Sequence, residues 1–416
     1  MSASAQSRSP VHVVYGGAHL YSADTPQKLG KIALRSLQTY AGDIQEFAAA
    51  FGLDEDKKLL QTIYKKTVDK LTSEPVEDLR IDFEDGYGFR PNDEEDGDAR
   101  RASSELAKAF AKKAVTPFCG FRIKSLAPET RERAVRTFNI FFETLLAKTK
   151  NKIPENFVVT LPKVSHRDEV AELCRRIARV EHDAHLSPGS IGIEIMIETP
   201  RAMLDEKGRV ALGDLIATSN GRCKSAHFGA YDYTSALGIS GAHQHLRHPA
   251  CNFARQMMLL ALSPLGIRLV DSVTTRMPVA QHKDAKLTDE QKSENRRSVH
   301  AGWREHFTNV SSSMANGFYQ SWDLHPNQLV ARYAAVNAFF LRSRDHDAAR
   351  LRGFIEKSTK ANLTGHTFDD AASANGLLNF FRLGVDCGAF TAAEIKKATG
   401  MSPSELKHLE FRVSSF

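Results

Sequence analysis

Two stretches, Ile191-Gly-Ile-Glu-Ile-Met-Ile-Glu198-Thr-Pro200 and Ala226-His-Phe-Gly-Ala-Tyr-Asp232-Tyr-Thr234, decide the reading of the fold. Each carries apolar residues into a single carboxylate at the point where a buried strand should end. In a parallel αβ barrel the loops after the strands build the active site, so acids at two successive strand ends converge on one place and can share a divalent ion. Glu198 and Asp232 are therefore the leading metal ligands. The alternative for each is a role at the start of the following helix, where negative charge complements the helix dipole.

Working outward, buried strands are expected at residues 11–16, 78–84, 118–124, 157–162, 191–198, 225–230, 267–273 and 317–324. The segments between them have helical spacing. Ala134, Phe138, Phe141 and Leu145 recur in 129–148, and Val170, Leu173, Ile177 and Val180 in 166–182. Alternating strand and helix argue for a parallel sheet, and eight strands favour closure: an α/β fold of the (β/α)8 TIM-barrel class. No Gly-x-Gly-x-x-Gly or Walker A pattern follows any strand, which speaks against the usual nucleotide sites. Residues 30–75 hold more than one helix and form a helical insertion after strand one. From Asn327 onward the chain reads as helix, with further helices at 370–385 and 392–398. The expected division is a barrel over 1–330 and a C-terminal helical extension over 331–416. Such an extension either covers a neighbouring subunit or the barrel mouth, or packs on its own barrel; a homo-oligomer is expected.

The 416 residues are 42% hydrophobic and 25% charged, with a formal net charge of +6. That is ordinary globular composition. Lys and Arg are interspersed with Asp and Glu, so no nucleic-acid partner is expected. The acidic run Asp93-Glu-Glu-Asp96 lacks the alternating ligands of an EF-hand and reads as a solvated loop. Five scattered cysteines without a Cys-x-x-Cys pair fit a reducing cytoplasm. Residues 1–10 lack the apolar core of a signal peptide and no apolar run is long enough to span a membrane, so a soluble, cytoplasmic protein is expected.

Side chains alternate between the two faces of a strand. In Arg80-Ile81-Asp82-Phe83-Glu84, the apolar residues face the helices and Arg80, Asp82 and Glu84 point inward. The same rule sends Arg122 and Lys124 inward from strand three, and Glu194, Met196 and Glu198 from strand five. Buried charge is costly unless paired, so Arg80, Asp82 and Glu194, deeper than the strand ends, are expected in internal ion pairs.

Six motifs in order carry a resemblance: Asp82-Phe-Glu84-Asp85, Arg122, Leu161-Pro-Lys163-Val, Ile197-Glu198-Thr-Pro200, Phe228-Gly229-x-x-Asp232 and Leu324-His325-Pro326-Asn-Gln328. Over residues 11–330 the chain resembles the citrate lyase β-subunit-like branch of the HpcH/HpaI aldolase family, in the phosphoenolpyruvate/pyruvate superfamily of barrels. The resemblance implies a metal-dependent carbon–carbon lyase using Mg2+ or Mn2+ and acting through the enolate of a small oxo acid or acyl-CoA thioester. It makes Glu198 and Asp232 the metal ligands, in agreement with the strand-end reading. It makes Arg122 the arginine that grips substrate oxygens. Glu84 and Asp85 match the acidic pair near the metal water, orienting it or acting as acid or base, and Lys163 adds positive charge. His325 reads as a helix-start device with Pro326 at the first helical position.

Departures from the family pattern bear on the substrate. Arg122 is followed by Ile-Lys-Ser where Val-Asn is common, and an acyl-carrier partner is not implied. A catalytically silent dicarboxylate-binding or regulatory barrel is the alternative, because fold alone does not set function.

Overall fold

The computed structural model describes residues 8–357, 362–364 and 367–411. Residues 1–7, at the start of the expected barrel domain, and 412–416, at the end of the expected extension, lie outside the described residues. Eight parallel strands close a barrel in simple order: β1 (His12–Gly17), β2 (Asp78–Asp82), β3 (Phe118–Arg122), β4 (Phe157–Leu161), β5 (Gly192–Ile197), β6 (Cys223–Phe228), β7 (Arg268–Val273) and β8 (Gln320–Asp323), the last pairing with β1. The (β/α)8 class holds. The sixth strand lies two residues earlier than its apolar pattern suggested, and the eighth is confined to Gln320–Asp323.

The helices follow in chain order. The insertion holds α1 (Thr25–Tyr40), α2 (Ile44–Phe51) and α3 (Lys57–Ser73). Around the barrel come α4 (Asn92–Ala111), α5 (Arg131–Thr149), α6 (Arg167–Asp183), α7 (Pro200–Met203), α8 (Leu212–Thr218), α9 (Ala230–Ala236), α10 (Pro249–Leu262), α11 (Asp289–Ala315) and α12 (Gln328–Glu356). A short hairpin, β9 (Asn362–Thr364) and β10 (Thr367–Asp369), then leads to α13 (Ala371–Asp386), α14 (Ala392–Thr399) and α15 (Pro403–His408). α12 runs unbroken through residue 330, so barrel and extension share one helix.

Strand alternation builds two cores. Outward residues such as Ile81, Phe121, Val159, Ile195 and Phe228 are buried beneath the helices, where Phe121 stacks on Phe141 at 4.0 Å between ring centroids. Inside the barrel, Val13, Tyr15, Met196, Val270, Val273 and Trp322 form a separate apolar cluster. The inward charges pair as expected: Arg80 with Glu194 at 2.6 Å and with Asp78, and Asp82 with Arg122 at 2.6 Å.

Two expectations fail. Lys124 does not enter the barrel, because β3 ends at Arg122 and strand alternation stops with it. Its ammonium instead meets Glu95 of α4 at 2.7 Å and the Phe83 carbonyl at 2.8 Å. The acidic run 93–96 is not a solvated loop but opens α4, where the first-turn acids Asp93, Glu94 and Glu95 favour the helix dipole. Glu95 is 1% exposed and held by Lys124 and Thr137, while Asp96 accepts from Arg133 and Arg136.

The C-terminal extension packs on its own chain. Lys66 of α3 pairs with Glu394 of α14 at 3.0 Å, and α13 lies beside the amino-terminal mouth of the barrel, away from the ends of the strands where the acids converge. Among the described residues no helix is long and apolar enough to cross a membrane.

Candidate active site

The carboxyl ends of β2 to β6 bring all six expected site residues into one constellation. Glu198 directly follows β5 and is 2% exposed. Asp232 lies in the first turn of α9, with its side chain 46% exposed. Neither caps a helix by its side chain: the Thr199 hydroxyl accepts from the Ala202 N–H at 3.1 Å to cap α7, and Gly229 precedes α9. The motif Phe228-Gly229 has a direct reason, since a β-carbon on Gly229 would stand 2.4 Å from both Cβ and Oε2 of Glu198. Only glycine lets the two strand ends approach this closely.

Lys163 ties the set together. Its backbone is left-handed at φ 51°, a conformation costing a non-glycine residue about 1–2 kcal/mol, and its N–H donates to Glu198 Oε1 at 2.6 Å. The ammonium pairs with Glu84, with Asp85 at 3.2 Å and with Asp232 at 3.7 Å. Strain of this kind is tolerated where a functional geometry requires it.

Arg122 is buried, and most of its fork is already engaged. Nε and Nη2 donate to the two oxygens of Asp82 at 2.7 and 2.6 Å. Asp82 also accepts the N–H groups of Glu84 at 2.9 Å and Gly86 at 2.7 Å, so one carboxylate orients the arginine and shapes the turn carrying Glu84 and Asp85. Nη1 reaches Glu84 at 3.0 Å and Met196 Sδ at 3.5 Å. The guanidinium lies over the Tyr15 ring at 4.8 Å and the Trp322 ring at 5.9 Å, which are stacked on each other. Cation–π attraction adds to its hold.

Below this aromatic floor lies His227. The Trp322 indole N–H, which can only donate, reaches His227 Nδ1 at 3.1 Å, so the ring carries its proton on Nε2. That side faces Ser225 Oγ at 3.2 Å, and Ser225 in turn donates to Glu194 at 2.6 Å. Tyr15, His227 and Trp322 were absent from the site residues read in the sequence. The signal was available, since strand alternation in β1, β6 and β8 points all three inward.

The charges at the rim are not balanced. Burial, with Asp232 and Glu84 nearby, pushes the Glu198 carboxyl up to about 8 despite the opposing pull of Lys163. Burial also raises Glu84 above the usual carboxylate range, against Arg122. Asp85 goes the other way: burial would raise it, but its hydrogen bond with Glu84 and the charges of Arg122 and Lys163 hold it down. Lys163 is held above the usual lysine range, its burial outweighed by Glu84 and Glu198.

Glu198 and Asp232 offer hard oxygen ligands, and Mg2+ is commonly bound by one or two carboxylates with water filling its other positions. Among the described residues no group of three His, Cys, Asp or Glu side chains is placed to hold an ion. Two carboxylates alone would leave most positions of a magnesium-type ion to water. They do not fit a closed structural site of the zinc type.

The sequence matches, over residues 3–413, the family described as domain of unknown function DUF6986. The chain belongs to this family. No curated protein matches it. Among solved structures, a citrate lyase from Burkholderia xenovorans LB400 superposes with a TM-score of 0.60 at 17% identity, covering 94% of this chain and 96% of that one. Native Haloferax volcanii malate synthase at 3 mM glyoxylate superposes with a TM-score of 0.50 at 16% identity, covering 96% and 99%. The citrate lyase β subunit of M. tuberculosis, complexed with oxaloacetate and magnesium, gives 0.40 at 16% identity over 78% and 96%. The first two likenesses establish the shared fold: the DUF6986 chain has the barrel fold of a protein named citrate lyase and of malate synthase.

Proposed function

We propose that this chain is a metal-dependent carbon–carbon lyase or aldolase of the citrate lyase β-subunit-like type, acting through the enolate of a small oxo acid or acyl-CoA thioester. The observation that carries the reading is the juxtaposition, at successive strand ends, of two carboxylates with a buried, pre-oriented arginine. Glu198 and Asp232 would hold a divalent ion, which when bound acts as a Lewis acid toward the enolate oxygen.

The chain's own groups supply the rest. Arg122, locked by Asp82, presents Nη1 to a substrate carboxylate or to developing enolate charge, and its fixed position removes the cost of reorganising at the moment of reaction. Glu84, its side chain 10% exposed between Arg122 and Lys163, is placed to accept or return a proton, whereas Asp85, 60% exposed, faces water. Lys163 keeps Glu84, Asp85 and Asp232 from driving one another apart. The likeness in fold to a protein named citrate lyase and to malate synthase, the latter crystallised with glyoxylate, supports an enzyme of small oxygenated acids.

An enolate-stabilising site lowers the barrier to deprotonating carbon even before a second substrate arrives. The test is proton exchange at the methyl group of pyruvate or of an acetyl thioester in deuterated water with magnesium, followed by proton NMR. Exchange is expected, and is expected to vanish with chelator and in Asp232→Ala. Absence of exchange in a protein that binds magnesium would overturn the lyase reading in favour of a silent binder.

A further inference from the structure

The amino-terminal mouth of the barrel is open. In this fold the interior is normally packed by layers of side chains and the amino-terminal face serves stability. Here a cavity of about 860 Å³ lies at that end, the size of a small-molecule site. Gly192, Gly266 and Gly317 stand on its lining and contribute no side chain to fill it, and α13 of the C-terminal extension forms one wall through Asn379, Leu383 and Asp386.

Its polar lining is unevenly satisfied. Arg80 is saturated: Glu194 takes Nε at 2.8 Å and Nη2 at 2.6 Å, and Asp78 takes Nη1. The two acids that hold Arg80 are saturated too, because Glu194 also accepts from Thr160 at 3.0 Å and Ser225 at 2.6 Å, and Asp78 from Gln320 at 3.0 Å; Asp386, the acid on the lining itself, is raised by burial above the usual carboxylate range against Lys407 and Arg382. That leaves the Arg268 side chain without a hydrogen bond among the described residues. Its closest carboxylate oxygen, on Glu194, is 3.7 Å away, its guanidinium lies 5.1 Å over the Phe118 ring, and its Nε is buried without a partner. Burial holds this guanidinium below the usual arginine range. Gln320, 1% exposed, has an Oε1 that is likewise unpartnered. Lys224, on the same lining, donates only a long 3.3 Å bond to the Gly221 carbonyl.

A buried donor or acceptor left unpaired costs about 1–3 kcal/mol, so such groups collect where something else completes them. We propose that the amino-terminal mouth is a second binding site, taking a small metabolite with a carboxylate or phosphate group, held by Arg268 and Lys224, with Gln320 Oε1 accepting from a hydroxyl of the ligand. The guanidinium fork suits either oxyanion. The site lies at the opposite end of the barrel from Arg122 and stands independently of the reaction assigned there.

Calorimetric titration of the metal-free, full-length protein with inorganic phosphate and, separately, with malonate tests this. Saturable binding is expected for at least one probe, and the tighter one names the anionic group. Arg268→Gln is expected to weaken it about tenfold or more, as loss of a charge-assisted hydrogen bond should. The exposed Lys224→Ala, which removes no packed group, should weaken it by less, and Arg122→Lys should bind as the wild type does. No saturable binding of either anion to the wild type, or a loss that follows Arg122→Lys and spares Lys224→Ala, would overturn the proposal.

Discussion

The barrel holds two charged layers made of the same residue types, and they are built to opposite ends. In the lower layer Arg80, Asp78 and Glu194 are fully buried and closed upon one another. Burial alone would raise the Glu194 carboxyl, but Arg80 and His227 hold it well below the usual range. In the upper layer burial raises the equally buried Glu198 carboxyl to about 8, because Asp232 and Glu84 add repulsion and Lys163, shared among four acids, opposes it only in part. One layer is satisfied and structural. The other is left short of positive charge. Between them the aromatic floor of Tyr15 and Trp322 and the ring of His227 separate the two.

The largest effect expected from this contrast is on stability. Glu194→Ala leaves Arg80 with an uncompensated buried charge and should cost about 3–5 kcal/mol in urea unfolding. Asp232→Ala at the half-exposed rim should stay within about 0.5 kcal/mol. Equal losses would erase the distinction between the layers.

A second experiment reads the rim by its pH dependence. Glu198 has a folded-state pKa raised from 4.5 to about 8, so between these values the folded protein binds more protons than the unfolded chain. Its contribution is full below pH 4.5 and is lost as pH rises toward 8. Without metal, wild-type stability should fall across this window by a few kcal/mol, and Glu198→Gln should flatten the fall. Added magnesium should restore stability at pH 8 in the wild type and leave Glu198→Gln unmoved. A flat wild-type profile would place Glu198 in the satisfied class.

The smallest effect concerns Arg122. Lysine keeps the charge but cannot span both oxygens of Asp82 and still offer a nitrogen to substrate. Arg122→Lys should lower the rate of methyl proton exchange about tenfold, or about 1.4 kcal/mol, with little change in magnesium affinity by calorimetry. Wild-type exchange in this variant would remove Arg122 from the reacting centre and leave it a partner of Asp82 alone.

How much of this was legible depended on the range of the interaction. Period-two alternation in β2, β3 and β5 placed Arg80, Asp82, Arg122 and Glu198 inside the barrel, because strand geometry is set by neighbours in sequence. The same rule misplaced Lys124, whose strand ends two residues earlier than its apolar pattern, and it was silent about Glu95 and Asp96, whose burial is decided by Arg133, Arg136 and Lys124 on other elements. For His227, alternation in β6 points the ring inward, but its partner Trp322, 95 residues away, is supplied only by the closed barrel.

By itself the sequence determined the barrel, the insertion, the helical tail and the run of acids at the strand ends, since each is written in local periodicity and in carboxylates that terminate apolar runs. Tertiary structure alone decided which charges neutralise one another. Arg122 gives most of its fork to Asp82 and Lys163 bridges three carboxylates, while the Arg268 side chain faces an open mouth without a hydrogen bond. Ion pairing depends on distances between residues far apart in the chain, and burial multiplies the energy of each ångström in a way that no local pattern records.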